Sequence, residues 1–134
     1  MRILAVDVGK RRIGIAVSDP LGLTARPHST LERNREAAGR IASLALELEA
    51  GLVLVGLPLH LDGSESEQAK DVRKFASRLQ AAMPGMKIKF VDERLSTVEA
   101  MERMSDRRGG WRKNKNRLDA FAAAMILESY LNEQ

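Results

Sequence analysis

The stretch Ile3-Leu-Ala-Val-Asp7-Val-Gly9-Lys-Arg-Arg-Ile-Gly14-Ile-Ala-Val-Ser18-Asp19 constrains the fold more than any other part of the chain. It is two apolar runs joined by a short basic turn flanked by glycines. The first run, Ile3 to Val8, is aliphatic and β-branched, the pattern of a buried central strand. Ile13 to Ser18 repeats it. The turn is too short for a parallel crossover, so the two runs form an antiparallel hairpin. Asp7 interrupts the first run. A carboxylate in a dry strand costs several kcal/mol of desolvation unless something pairs with it. Partners for Asp7 are therefore to be sought elsewhere in the chain.

Beyond the hairpin, Asp19-Pro20-Leu21-Gly22 has turn chemistry, and Leu23 to Leu31 reads as a third strand. Pro27 cannot donate to a ladder and places that strand at or near an edge. Asn34 is a candidate N-cap for a helix with Ala37, Ile41, Leu44, Ala45 and Leu48 at helical spacing, ended by Gly51. Leu52 to Gly56 is a short apolar strand of the kind buried on both faces, so strand–helix–strand predicts a right-handed parallel crossover. A loop from Leu57 to Gly63 follows. Ser64-Glu-Ser-Glu67 offers a capping box to a helix striped by Ala69, Val72, Phe75, Ala76, Leu79 and Met83, which Pro84-Gly85 breaks. Lys87 to Val91 alternates as a strand. Ser96-Thr-Val-Glu99 is a second capping box, opening a short helix to Met104. The segment 105–116 is polar and basic, with Gly109-Gly110, and is expected to be mobile. A last helix is predicted from Arg117 to Leu131. The order β-β-β-α-β-α-β-α-α predicts an α/β fold. Its sheet is five-stranded and mixed, three antiparallel strands followed by parallel ones, with helices on both faces. One domain over residues 1–134 accommodates it.

Composition narrows the function classes. With 44% hydrophobic and 30% charged residues the chain reads as an ordinary globular protein. The absence of cysteine excludes a disulfide framework, a thiolate nucleophile and a Cys-based zinc site. No apolar run is long enough to span a bilayer, and the N-terminal run is too short for a signal peptide, so no membrane partner and a cytoplasmic location are expected. The net charge of +4 decides little by itself. Its distribution says more. Lys10, Arg11 and Arg12 crowd one segment, and Arg107, Arg108, Arg112, Lys113, Lys115 and Arg117 another. Clustered cations point to a polyanionic partner, with two solvated loops as the plainer reading.

Three acids stand out by context. Asp7 lies within the first strand. Glu93 follows Asp92 just past the last strand, where ligands gather in α/β sheets. Asp119 opens a last helix that is apolar on nearly every side, and four alanines there allow it to approach the sheet closely. Each acid also has a structural reading: a backbone bond for Asp7, a pairing with Arg94 or a helix cap for Glu93, a favourable helix dipole for Asp119. Brought together, three carboxylates repel unless cations sit between them. Oxygen-only ligands suit magnesium or manganese, and two such ions serve phosphoryl displacement. His28, in the Pro-containing edge strand, and His60, in a loop, read as surface residues. Trp111 is either a platform for a base or a loop anchor.

At these residues the chain resembles the YqgF/RuvX family. The resemblance is carried by Asp7-Val-Gly9-Lys-Arg-Arg12-Ile-Gly14-Ile-Ala-Val-Ser18-Asp19, by Val55-Gly56-Leu57-Pro58 with Asp62-Gly63, by Asp92-Glu93-Arg94-Leu95-Ser96-Thr97, and by Asp119-Ala-Phe-Ala122-Ala123-Ala-Met-Ile126-Leu127. The blocks occur in the family's order and cover nearly the whole chain. The resemblance implies a ribonuclease H-like fold. It also implies a nuclease, described both as a Holliday junction resolvase and as an enzyme maturing the 5′ end of 16S ribosomal RNA. It places the acidic, metal-holding site on Asp7, Glu93 and Asp119, with Asp92 as an alternate. Resolvases of the related RuvC group carry a further acid one helical turn later, where this chain has Ala122. A second ion would then be held weakly or need substrate phosphate to complete its site.

The reading is a hydrolase: an endonuclease dependent on magnesium or manganese, with two ions when substrate is bound. Asp7, Glu93 and Asp119 are its catalytic and metal residues. Lys10, Arg11, Arg12, Arg94, Arg107, Arg108, Arg112, Lys113, Lys115 and Arg117 hold the nucleic-acid backbone. The expected substrate is precursor ribosomal RNA, with ribosomal particles as further partners. Branched DNA is the alternative, and it would require a dimer for paired cuts; a monomer or weak homodimer is expected. Two other classes compete. A sugar-kinase- or actin-like nucleotide binder shares an Asp-x-Gly phosphate loop, but needs a second lobe. A non-catalytic RNA-binding protein predicts binding without metal and no cleavage.

Overall fold

Strands β1 (Arg2–Val8) and β2 (Arg12–Ser18) form the predicted antiparallel hairpin, with Leu4 opposite Val17 and Asp7 opposite Gly14. The computed structural model describes residues 1–93 and 115–133, the side chains of 115–117 excepted. Gly9 N–H donates to the Arg12 carbonyl at 2.9 Å and closes the turn. β3 (Ala25–Glu32) pairs antiparallel with β2, β4 (Ala50–Leu57) pairs parallel with β1, and β5 (Ile88–Asp92) pairs parallel with β4. The sheet order is β3-β2-β1-β4-β5, so β1 is central and β3 lies at an edge, where Pro27 was expected to put it. The ladder shifts register between Ile15 and Ala16, beside Pro27.

Alternation along the strands assigns the two faces. Leu4, Val6, Val8, Ile13, Ile15, Val17, Val53 and Val55 face helices α1 (Ala37–Glu47) and α2 (Glu67–Ala82), meeting Ile41, Ala45, Val72, Phe75 and Leu79. Ile3, Ala5, Ala16, Leu52, Leu54 and Val91 face helix α3 (Lys115–Asn132), meeting Ala123, Ala124, Ile126 and Leu127. Leu54 and Leu127 are wholly buried, and truncating either to alanine is worth about 2–5 kcal/mol. Ala5, Gly14 and Ala16 beneath α3 are small, which lets it lie close to β1 and β2. Period two along β1 carries Asp7 to this same α3 face.

Several boundaries differ from the sequence-based expectation. β3 begins at Ala25 rather than Leu23, because Asp19 Oδ1 accepts from the N–H groups of Leu23 (2.6 Å) and Thr24 (2.8 Å) and holds them in the turn. Asn34 Oδ1 accepts from Glu36 N–H at 2.9 Å, one turn ahead of α1. Gly51 does not end that helix. Glu49 adopts the left-handed conformation (φ 55°), and Gly51 is already in β4, where a Cβ would strike the Met1 side chain. The cap of α2 is Ser66, whose Oγ accepts from Ala69 N–H at 3.0 Å, whereas Ser64 is bonded to Asp62. Ser18, fully buried, is satisfied: Ile3 N–H donates to its Oγ at 2.8 Å and its hydroxyl donates to the Asp19 carbonyl at 2.9 Å. No helix among the described residues is long and apolar enough to cross a membrane.

Candidate active site

Asp7 sits at the C-terminal end of β1, and Glu93 immediately follows β5. Glu93 N–H donates to the Leu57 carbonyl at 3.3 Å and so prolongs the β4–β5 ladder by one step. β4 lies between the two acids, and neighbouring strands are about 4.8 Å apart. Glu93 must therefore reach across β4 to meet Asp7. It does so over Gly56, where an added Cβ would strike both the Glu93 carboxylate and the Ile126 methyl. The two carboxyls are hydrogen-bonded to each other.

Two part-buried carboxyls in contact cannot both ionise cheaply. Burial pushes Glu93 up to about 8, reinforced by the negative charge of Asp7, by their mutual hydrogen bond and by the charge of Asp92. Burial also raises Asp7; the hydrogen bond from Glu93 opposes this, and the charge of Asp119 adds to it. Both carboxyls therefore hold a proton more readily than a free acid, and their hydrogen bond favours keeping it on Glu93.

Asp119 enters from α3, on the same face of the sheet as Asp7. α3 begins at Lys115, earlier than expected, so Asp119 lies in its second turn rather than its first and gains less from the helix dipole. The helix crosses so close to β2 that a Cβ on Gly14 would overlap the Asp119 backbone carbonyl. Gly14 is in turn the register partner of Asp7, which brings Asp119 near enough for its charge to be felt there. The Asp119 side chain is engaged with Arg12, whose Nε donates to Oδ2 at 2.8 Å. Among the described residues no three His, Cys, Asp or Glu side chains are gathered tightly enough to hold a metal ion as they stand.

The donor set nonetheless fits a hard divalent cation. It offers carboxylate oxygens only, and a proton shared between Asp7 and Glu93 occupies the place of a counter-charge. Asp92 is exposed at the end of β5 and acts on Glu93 through its charge.

Of the expected backbone-holding cations, Lys10 and Arg11 are exposed on the β1–β2 turn, and Arg12 faces Asp119. Arg94, Arg107, Arg108, Arg112 and Lys113 lie outside the described residues, as do Trp111, the 96–104 helix and Gly109-Gly110. Lys115 and Arg117 are on α3, at positions whose side chains are not described. His28 is exposed on β3 beside Ser29, and His60 is exposed in its loop. Sequence reasoning did not identify Gly14 and Gly56 as parts of the site. The available signal was a glycine inside an apolar strand, which marks close approach.

The RuvX family model, described as Holliday junction resolvase, matches residues 1–133. A protein of Anaeromyxobacter sp. (strain K), named "Putative pre-16S rRNA nuclease", is 43% identical over 136 residues, covering 100% of this chain and 98% of that one. The structure of T. thermophilus RuvC in complex with a Holliday junction substrate superposes with a TM-score of 0.63 at 15% identity, over 99% of this chain and 96% of the other. The fowlpox virus resolvase in its Holliday junction complex gives 0.59 at 14% identity, over 99% and 98%. These two likenesses are of fold, and the mixed five-stranded sheet is ribonuclease H-like, as the resemblance implied. On the family match and the 43% identity along its full length, the chain belongs to the RuvX family.

Proposed function

We propose that the protein is an endonuclease that cleaves phosphodiester bonds of structured nucleic acid at Asp7 and Glu93, with Asp119 and Arg12 beside them. The observation that carries this reading is the Asp7–Glu93 contact. Two carboxyls are held together at strand ends, one made to retain a proton, with a third acid at hand. A purely structural role gives no reason to accept that repulsion. Magnesium or manganese would be held by Asp7 and Glu93, joined by Asp119. When bound it supplies charge neutralisation at the phosphate and activation of water.

The chain's own residues set the conditions. Asp7, on a central strand, is a rigid anchor. Glu93 releases its shared proton when the pair becomes a ligand set. Arg12, held by Asp119, places a cation where a phosphate must approach, and Lys10 and Arg11 extend that charge along the turn. The 5′ end of precursor 16S ribosomal RNA is the favoured substrate, since a relative alike over its whole length carries that name. Branched DNA is the second reading, supported by the family description and the shared fold.

The test is cleavage of a labelled 16S precursor and of a four-way junction by the purified protein with manganese. Asp7→Asn should abolish cutting and leave binding nearly intact. Equal cleavage by that variant would refute the assignment. Relative rates on the two substrates decide between RNA and DNA.

A further inference from the structure

The β1–β2 turn has two sides. Arg12 belongs to the α3 side and to the carboxylates. Lys10 instead borders a cavity of about 470 Å³ on the opposite face, lined also by Arg33, Asn34, Arg35, Phe75 and Arg78. Four of these residues are cations. Arg33 is committed to building the site: it bonds Asp71 through two nitrogens at 2.7 and 3.0 Å, donates to the Gly9 carbonyl at 3.0 Å, and lies over the Phe75 ring. Those contacts tie the turn to α2 and fix the cavity floor. Lys10, Arg35 and Arg78 are exposed and form no ion pair with any described acid. Asp71, already held by Arg33, is the acid whose charge Arg78 and the nearby Lys74 also feel.

Cations gathered around a concavity repel one another, and an anion with several oxygens relieves that repulsion. Phe75 is buried beneath Arg33, so no aromatic face is presented to a base. With four cations in its lining the cavity is suited to phosphate. Lys10 and Arg12 are two residues apart, a span of at most about 7 Å. A duplex carries one phosphate per strand for roughly every 3.4 Å of its axis, so neighbouring phosphates of one strand lie within that reach. One backbone can therefore touch both sides of the turn.

We propose that this cavity is a second phosphate-binding site, taking the backbone of the nucleic acid whose scissile bond lies at Asp7 and Glu93. The inference rests on the nuclease reading. It requires substrate to pass over the end of the sheet, from the α3 face to the α1–α2 face. Arg35 and Arg78 then contribute affinity without approaching the reacting atoms.

The test uses Asp7→Asn protein and a labelled duplex RNA from the 16S precursor, with affinity followed across a salt titration. Adding Arg35→Gln and Arg78→Gln should make the slope of log affinity against log salt shallower by about two, near one per lost cation. Arg35→Lys with Arg78→Lys should preserve the slope. An unchanged slope in the glutamine variant overturns the proposal, as does equal loss in the lysine variant, which would indicate a structural role. Thermal stabilisation by tripolyphosphate that depends on Arg35 and Arg78, with the RNA slope unaffected, would also overturn it, identifying a free polyanion as the ligand. Failure of Asp7→Asn alone to bind any nucleic acid would overturn both this proposal and the nuclease reading.

Discussion

Glu93 crosses β4 directly over Gly56, in space that any other residue at 56 would fill. The contact between Asp7 and Glu93 depends on this missing side chain. Gly56→Ala places a methyl against the Glu93 carboxylate and the Ile126 terminus. Both neighbours are the ends of side chains and can turn away, so the fold survives at a cost of about 1–3 kcal/mol. Glu93 no longer reaches Asp7. The expected outcome is a folded protein with a modestly lower Tm and at least ten-fold weaker divalent-cation binding, measured by calorimetry. Undiminished binding would show that Glu93 does not need the gap.

Gly14 makes a harder clearance, because its obstacle is the Asp119 carbonyl. Backbone cannot rotate aside as a side chain can. Gly14→Ala should push α3 off β2 and cost more than Gly56→Ala, about 3 kcal/mol or above. Denaturant titration of the two variants side by side checks the order. The reverse order would mean that α3 shifts easily.

Gly39 is the control. It lies within α1, and a Cβ there meets nothing within 4 Å. Gly39→Ala should stabilise the protein by about 0.5–1 kcal/mol through helix propensity alone, raising Tm by roughly 2–4 °C. A fall in Tm would contradict the open space around it.

Much of this arrangement was legible in the chain. Asp7 was conspicuous because its strand is otherwise apolar, Pro27 marked the edge, and the alanines of α3 announced a close approach to the sheet. What was not legible depends on register. Gly14 and Gly56 matter because one lies opposite Asp7 and the other between Asp7 and Glu93, and pairing over such distances cannot be read from local pattern. The Arg12–Asp119 bond joins residues 107 apart. Gly51 misled for a related reason: it is a good helix stop by composition, but close packing against Met1 claims it for β4, and Glu49 takes the left-handed turn instead.

Stability should depend on pH with a sign set by Glu93. Its folded value, about 8, lies above its ordinary 4.5. Between these values the folded protein keeps a proton that the unfolded chain has lost, so stability falls as pH rises through this window and levels above it. Raised Asp7 acts in the same direction. The whole effect is on the order of a few kcal/mol without divalent cations. Glu93→Gln, which can still donate to Asp7, should flatten the profile and be the more stable protein at pH 8. Magnesium should narrow that difference by binding the wild type. Thermal melts across pH 5–8 check this, and a wild-type profile rising with pH would refute it.

Arg12 and Asp119 form an ion pair whose side chains are 38% and 28% exposed, so the pair contributes under about 1 kcal/mol to stability. Its weight lies in electrostatics of the site. Arg12 is a fixed positive charge on Asp119 and competes with any cation that this acid would help to bind. Arg12→Gln should leave Tm nearly unchanged and tighten manganese binding about ten-fold, a gain of about 1.4 kcal/mol. It should also slow cleavage, since the approaching phosphate loses its cation. Calorimetry and cleavage rates on the same preparation separate the two effects. Weaker manganese binding would show instead that Arg12 serves mainly to hold Asp119 in place, and that the metal site is assembled through their hydrogen bond.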